Sequence, residues 1–287
     1  MTMQVISNMA SFGRKAAPEL VRVVVLLLFA LGTLLPFYWM IVTSLKTRQE
    51  IYSGQLTLWP KALTWLNYVD TLQNTSFPRY LVNSFTVSMS SSILVLLASI
   101  LGGYSLARYQ FKGKQFVLIS FLATQMVPVM VILVPLFITF GQIHLLNKLP
   151  SLIITYTAMN IPFCLITMSS FFQRIPVSLE EAAMIDGCNK FQTMSKVVLP
   201  MMQPGIVATF VFAFIGAWND LFFGVMFTNS ESAKTVPVGL SSFVQKFDIN
   251  WGQMSAAGMI SLIPVIIMFA IVQKYIVAGL TQGAVKG

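Results

Sequence analysis

Six long stretches of this chain carry no charged residue, at 23–45, 80–107, 115–147, 149–173, 197–219 and 249–273. Within them apolar side chains follow one another continuously instead of alternating with polar ones, which excludes the period-two pattern of a membrane barrel. Each stretch reaches the roughly 20 residues a helix needs to cross the hydrocarbon core of a bilayer. The pattern predicts an all-α, polytopic membrane protein with six transmembrane helices. Prolines interrupt the third stretch (Pro128, Pro135), the fourth (Pro162) and the sixth (Pro264). Each proline removes a backbone donor and crowds the preceding turn. In lipid the freed carbonyl needs a neighbouring helix, a hydroxyl or water, so these positions suit either a hinged translocation path or static kinks for packing. The serines at 88–92 and the pair Gly102-Gly103 read as surfaces for close helix packing.

Between the fourth and fifth stretches lies a polar island, SLEEAAMIDGCNKFQTMSKVVLP at 178–200. Ser178 with Glu181 three residues later is a capping-box spacing, which predicts a helix starting at Leu179. Gly187 can take the left-handed conformation that ends a helix, limiting this one to about two turns. A second helix is expected from about Lys190, with Phe191, Met194, Val197 and Val198 on one face and Pro200 marking a change of direction. Ala182 and Ala183 leave little bulk, so another protein's surface could approach the backbone there. Glu181 then has two compatible roles: a cap worth about 0.5–2 kcal/mol, or a charge paired with a cation on a partner. In the fifth stretch the run ends at Ala217-Trp218-Asn219-Asp220. If that helix starts near Pro204, Asp220 sits about 24 Å along its axis, in the outer part of the bilayer. An ionisable residue at such a depth is a functional candidate, and Asn219 with Asp220 are the candidates for a cavity or outer gate. An interfacial or packing carboxylate is the alternative reading.

Composition agrees with the membrane reading. Only 9% of the 287 residues are charged, against about 25% for soluble domains, and the mean hydropathy is +0.77. Arg14, Lys15 and Arg22 precede the first stretch as they would a signal peptide, but the stretch is long and no small-x-small cleavage site follows, so it is expected to be an uncleaved anchor. Eleven of the 18 lysines and arginines fall on the termini and even-numbered loops and seven on the other side, which predicts cytoplasmic termini and a cytoplasmic Glu181 loop. A net charge of +9 and a pI near 9.7 are then explained by topology and anionic headgroups, and no nucleic-acid partner is expected. Cys164 lies within the fourth stretch and Cys188 in the loop, so no disulfide is expected. His144 has no companions at ligand spacing, so neither is a metal site. The organisation expected is a cytoplasmic tail at 1–22, a first helix at 23–45 and an external segment at 46–79. A five-helix core at 80–277, with the polar loop at about 174–203, and a tail at 278–287 follow. The external segment carries Trp59, Pro60, Trp65 and Tyr68, aromatics suited to the headgroup level.

Glu181-Ala182-Ala183, three residues, Gly187, nine residues, then Val197-x-Leu199-Pro200 resembles the EAA loop of the membrane subunits of bacterial ATP-binding-cassette importers. Valine stands at 197 where that pattern usually has isoleucine. LTWLNYVDTL in the external segment, Trp-Asn-Asp at 218–220, TVPVGLSSF at 235–243 and LTQGAVKG at 280–287 are similar to stretches of sugar-importer permeases, most of all the smaller membrane subunit of maltose-type systems. The resemblance implies a type I importer transmembrane fold with a cytoplasmic coupling helix. It also implies that Glu181, Ala182, Ala183 and Gly187 dock into an ATPase. The implied partners are a homologous second permease, a cytoplasmic ATPase dimer and an extracytoplasmic solute-binding protein, in a bacterial inner membrane. No cofactor would be bound by this chain, with ATP and magnesium held by the ATPase.

Other classes fit less well. The only Gly-Lys pair, Gly113-Lys114, is followed by Gln115 and lacks the earlier glycine of a phosphate loop, so the chain reads as a non-catalytic subunit. An ion-coupled secondary carrier would be polytopic too, but such carriers often bury several ionisable groups, and only Asp220 qualifies here. A channel leaves the docking-type loop unexplained. An importer for a non-sugar solute such as a glycerol phosphate stays open.

Overall fold

The computed structural model describes residues 2–244 and 249–284, with side chains for 21–244 and 249–275. Lys246 and the whole C-terminal LTQGAVKG stretch therefore lie outside the described side chains. Every regular element described is a helix: α1 (Thr2–Ser44), α2 (Arg48–Ile51), α3 (Leu66–Gln73), α4 (Phe77–Arg108), α5 (Lys114–Gln125), α6 (Val129–Gln142) and α7 (Leu149–Gln173). There follow α8 (Val177–Ile185), α9 (Lys190–Thr193), a π-helical stretch Met194–Val198, α10 (Leu199–Met201), α11 (Gln203–Asn219), α12 (Phe222–Phe227), α13 (Val236–Ser241) and α14 (Trp251–Ala284).

Among the described residues four helices are long and apolar enough to cross a membrane: Val21–Ser44, Phe77–Arg108, Leu149–Gln173 and Trp251–Tyr275. Two bent pairs bring the number to six if each is one span. The third stretch is interrupted at the first of its two prolines. It breaks by 94° between α5 and α6, where Pro128 takes an extended backbone ahead of Val129. Pro135, Pro162 and Pro264, by contrast, lie inside α6, α7 and α14. The fifth stretch is corrected. Its change of direction is a 79° bend at Met202, after α10, and not at Pro200. Residues 197–202 therefore belong to the polar loop, and the spanning part is α11.

The chain divides into two compact units, one of residues 1–71 with 249–259 and one of 72–248 with 260–287. In the first unit the end of α1 is clamped by α3. Asn67 donates from Nδ2 to the carbonyls of Ser44 and Lys46, each at 2.9 Å, while the Ser44 and Tyr68 hydroxyls lie 2.8 Å apart. A Cβ at Gly252 would fall 2.5 Å from Asn67 Oδ1, so the first turn of α14 can approach this amide only as glycine. The loop after α2 is organised by Glu50, whose carboxylate accepts from the Thr57 hydroxyl at 2.7 Å and the Lys61 N–H at 3.1 Å. These donors, Thr57 first, hold the Glu50 carboxyl below its ordinary value. Trp59 and Trp65 are exposed, as headgroup aromatics would be.

The second unit is built on α4, α7 and α11. Met168, Phe172, Val198 and Met202 form a buried cluster near the polar loop. Val87, Tyr156, Ala217, Phe223 and Phe227 form another, toward the opposite ends of these helices. Ser88, Ser91, Ser92 and Ser99 are buried along α4, in keeping with the packing role expected of the serine cluster. At Gly103 a Cβ would stand 3.0 Å from both Met168 Cβ and the Ser169 backbone nitrogen. Small residues permit such backbone approach in membrane helices. Gly103→Val should therefore lose at least the ~1–3 kcal/mol of an overpacked site, seen as a lower melting temperature or loss of monodisperse protein. Gly102→Ala meets only the tip of Leu165, at 2.5 Å, and should be milder. Equal tolerance of the two would refute this account of the α4–α7 crossing.

Candidate functional site

Ile175 precedes Pro176, and a residue before proline is steered away from helical backbone, so α7 stops and α8 begins directly behind the proline. Pro176 occupies the N-cap position with extended backbone and makes no side-chain capping bond. This corrects the expected start at Leu179: Ser178 and Glu181 already lie inside the helix, and their capping box does not form. Glu181 is left without a capping role. The other end follows expectation. Gly187 has φ +90°, its N–H bonds the Met184 carbonyl at 3.1 Å, and the Cys188 N–H bonds the Ala183 carbonyl at 3.0 Å. This pair of bonds is a Schellman closure. A capping box does occur in the loop, eleven residues later than expected. Asn189 Oδ1 accepts from the Gln192 N–H at 2.9 Å and Gln192 Oε1 from the Asn189 N–H at 3.0 Å, starting α9 at the expected Lys190.

The face expected for the second helix is also revised. The π-helical stretch after α9 shifts the register, so Thr193 and Val198 point inward while Phe191 is 71% exposed. Of the four candidate docking residues, Glu181, Ala182 and Gly187 face outward and Ala183 is buried. Beside Gly187, Ile185 is 86% exposed. Two large apolar side chains, Ile185 and Phe191, thus flank a sharp turn with little cover from the described residues.

One functional candidate was not anticipated. Glu180, adjacent to the exposed Glu181, turns inward on the same face as Ala183. Its Oε1 lies 2.6 Å from Arg108 Nε and its Oε2 accepts from the Tyr104 hydroxyl at 2.8 Å. Arg108 also donates from Nη2 to the Ile175 carbonyl at 2.9 Å. Both members of the ion pair are nearly enclosed, with side chains 9% and 7% exposed. A recess of about 240 Å³ beside them is bounded by Tyr104, Arg108, Tyr109, Glu181, Met184 and Lys190, among others. The i, i+3 spacing of Glu180 and Ala183 was the available signal, masked by the Glu-Glu doublet.

At the far end of α11 the two cavity or gate candidates part company. Asn219 is exposed as the last residue of the helix, while Asp220 takes an extended backbone and turns inward. Asp220 Oδ1 accepts from the Tyr156 hydroxyl on α7 and from the Phe223 N–H at the start of α12, both at 2.9 Å. The carboxylate thus terminates one helix, starts the next and ties both to α7. One turn along α7, Asn160 Nδ2 donates to the Tyr156 carbonyl at 2.8 Å, and its Oδ1 faces Gly216. Outside this level Asn147, at φ 60°, donates its N–H to the Phe227 carbonyl at 2.8 Å and accepts from the N–H groups of Asn229 and Ser230. The loop continues into α13, where Ser84 Oγ accepts from the Val236 N–H at 2.8 Å. In that loop Glu231 accepts from Lys234 and from the Tyr80 hydroxyl, and these donors hold its carboxyl below its usual range.

Residues 95–282, which take in the loop, α11 and most of α14, match the family described as binding-protein-dependent transport system inner membrane component. The chain belongs to that family. This permease is 37% identical over 254 residues to the sulfoquinovosyl glycerol transport system permease SmoH of Agrobacterium fabrum, covering 88% of this chain and 89% of that one. It is 36% identical over 264 residues to the trehalose/maltose transport system permease MalG of Thermococcus litoralis, with 91% and 94% covered. Its fold matches a chain of a bacterial ABC transporter that imports the polysaccharide alginate, at TM-score 0.79 and 24% identity, over 89% of this chain and 95% of that one. The protein is therefore a multi-pass inner-membrane permease subunit of an ABC transport system, with a mostly helical fold.

Proposed function

We propose that this permease forms half of the translocation pathway of an ATP-driven, binding-protein-dependent importer for a di- or oligosaccharide. The observation that carries the reading is the loop itself. A two-turn helix closed at Gly187 presents Glu181, Ala182, Ile185 and Phe191 outward on a surface the described residues leave exposed. A docking partner of complementary shape, the ATPase, would bury it. The glycosidic solutes named for relatives (sulfoquinovosyl glycerol, trehalose/maltose, diacetylchitobiose) support a carbohydrate. In this reading the loop and both termini lie in the cytoplasm, and a homologous permease completes the pathway. An external binding protein delivers the solute over the 229–243 loop, and ATP with magnesium acts on the ATPase dimer alone. Nucleotide closure of the ATPases would favour one of two global states of the permease pair, so coupling is a differential interaction with those states. The first unit at 1–71 would add the anchor and the headgroup segment, and 80–277 the transporting core.

Inverted vesicles are unnecessary for the test. Proteoliposomes holding the complete system, with ATP inside and binding protein outside, should accumulate a labelled disaccharide from a panel of maltose, trehalose and diacetylchitobiose. Accumulation should require ATP and survive a protonophore. Uptake that persists without ATP and vanishes with the protonophore would overturn the importer reading and favour an ion-coupled carrier. Accumulation of glycerol phosphate in place of every disaccharide would overturn the sugar assignment alone.

A further inference from the structure

We infer that Glu180 and Arg108 form a mechanical lock that makes the coupling helix move as one body with the second transmembrane helix, α4. The inference rests on the docking role proposed for the Glu181 loop, and it assigns the route by which force leaves that loop. A short helix such as α8 is joined covalently only to its sequence neighbours, and the link on either side of it is a turn, at Pro176 and at Gly187. Across the gap to α4, however, both oxygens of Glu180 are engaged, one by Arg108 at 2.6 Å and the other by Tyr104 at 2.8 Å. The same guanidinium reaches the Ile175 carbonyl at 2.9 Å, in the turn between α7 and α8. Arg108 is the last residue of α4, so one planar, forked group ties the end of that helix to the coupling helix and to the turn before it.

Burial makes the tie stiff. With side chains 9% and 7% exposed, both charges are largely withdrawn from water, and a separated buried pair is strongly disfavoured. Farther along, α4 meets α7 at Gly103 with room for no side chain, so α4 is held by close backbone packing about one turn and a half from Arg108. Glu180 and Arg108 are positioning residues. They touch neither nucleotide nor solute, and they act by fixing α8 on α4.

The test uses the whole transporter in nanodiscs with spin labels at two exposed sites, Ser178→Cys on α8 and Leu101→Cys on α4, in a background lacking Cys164 and Cys188. Pulsed electron resonance should give one narrow distance that is the same in the nucleotide-free and vanadate-trapped states. Glu180→Gln keeps the shape and removes the charge. It should broaden the distribution, and disaccharide accumulation should fall about tenfold while ATP hydrolysis stays within about twofold and the ATPase still co-purifies. The exchange Arg108→Glu with Glu180→Arg should recover more transport than either single change. A parent distance that shifts on trapping would overturn the lock, as would a Glu180→Gln protein with unaltered transport per ATP hydrolysed. Loss of the ATPase from Glu180→Gln alone would also overturn it, placing the pair in the shape of the docking face. Failure of the parent complex to retain an ATPase would instead remove the docking reading on which the lock stands.

Discussion

Gly187→Val should abolish most transport in a chain that still inserts normally, whereas Gly187→Asn should transport nearly as the parent does. No atom lies within 4 Å of where a side chain would begin at this position, so bulk is not the issue. The backbone is. At φ +90° an L-residue carries a strain of roughly 1–2 kcal/mol, and a β-branched one more. That strain alone shifts the population of correctly closed loops about tenfold. The closure also orients the flanks: if Gly187 leaves the left-handed region, the bonds to Met184 and Ala183 are lost and the surface of Ile185 and Phe191 comes apart. Asparagine tolerates positive φ, as Asn147 does at φ 60° in this same chain, so it separates conformation from side-chain identity. Gly187→Pro should be the most severe, since its φ is fixed near −65°. Binding-protein-stimulated ATP hydrolysis and disaccharide uptake should fall together across the series. Equal behaviour of valine and asparagine at normal expression would count against the turn as the element that presents the loop.

Much of this architecture was legible because hydrophobicity in lipid is a one-variable signal. The four unbroken spans could be read from uncharged run length alone. The Schellman turn at Gly187 could be read because only glycine suits it, and α9 began where it was placed. What escaped reading depends on competition between equally good local signals. Ser178 and Glu181 have capping-box spacing, but Pro176 forces the helix to begin ahead of them. Asn189 and Gln192 have the same spacing, and there the box forms because no proline intervenes. Glu180 and Glu181 are indistinguishable as neighbours in a sequence, yet one meets Arg108 from 72 positions away and the other faces outward. Pro128 was legible as an interruption but the angle of its break was not, and the break at Met202 lay in a stretch whose uniform apolar character carries no directional information. Tyr156, likewise, is one aromatic among many until Asp220 is brought against it.

That contact leads to the last expectation. A carboxylate at 220 that serves as a ligand or proton carrier depends on its charge; one that holds a helix break depends on its oxygen. Asp220 Oδ1 receives both the Tyr156 hydroxyl and the Phe223 N–H, and an amide oxygen can receive the same two donors. Asp220→Asn should therefore keep the α11–α12 break, with ATP-driven uptake reduced by no more than about thirtyfold, the difference between charged and neutral acceptors being about 1 kcal/mol for each of the two bonds. Asp220→Leu removes the acceptor altogether. It strands a hydroxyl and an N–H, each costing about 1–3 kcal/mol when buried, and should lower the melting temperature and all but eliminate uptake. Tyr156→Phe, which removes one donor and leaves the bond to Phe223, should fall between the two. If asparagine proves as damaging to uptake as leucine while the melting temperature stays at the parent value, the charge itself is in use. Asp220 would then have to face the solute path in some other state of the transport cycle.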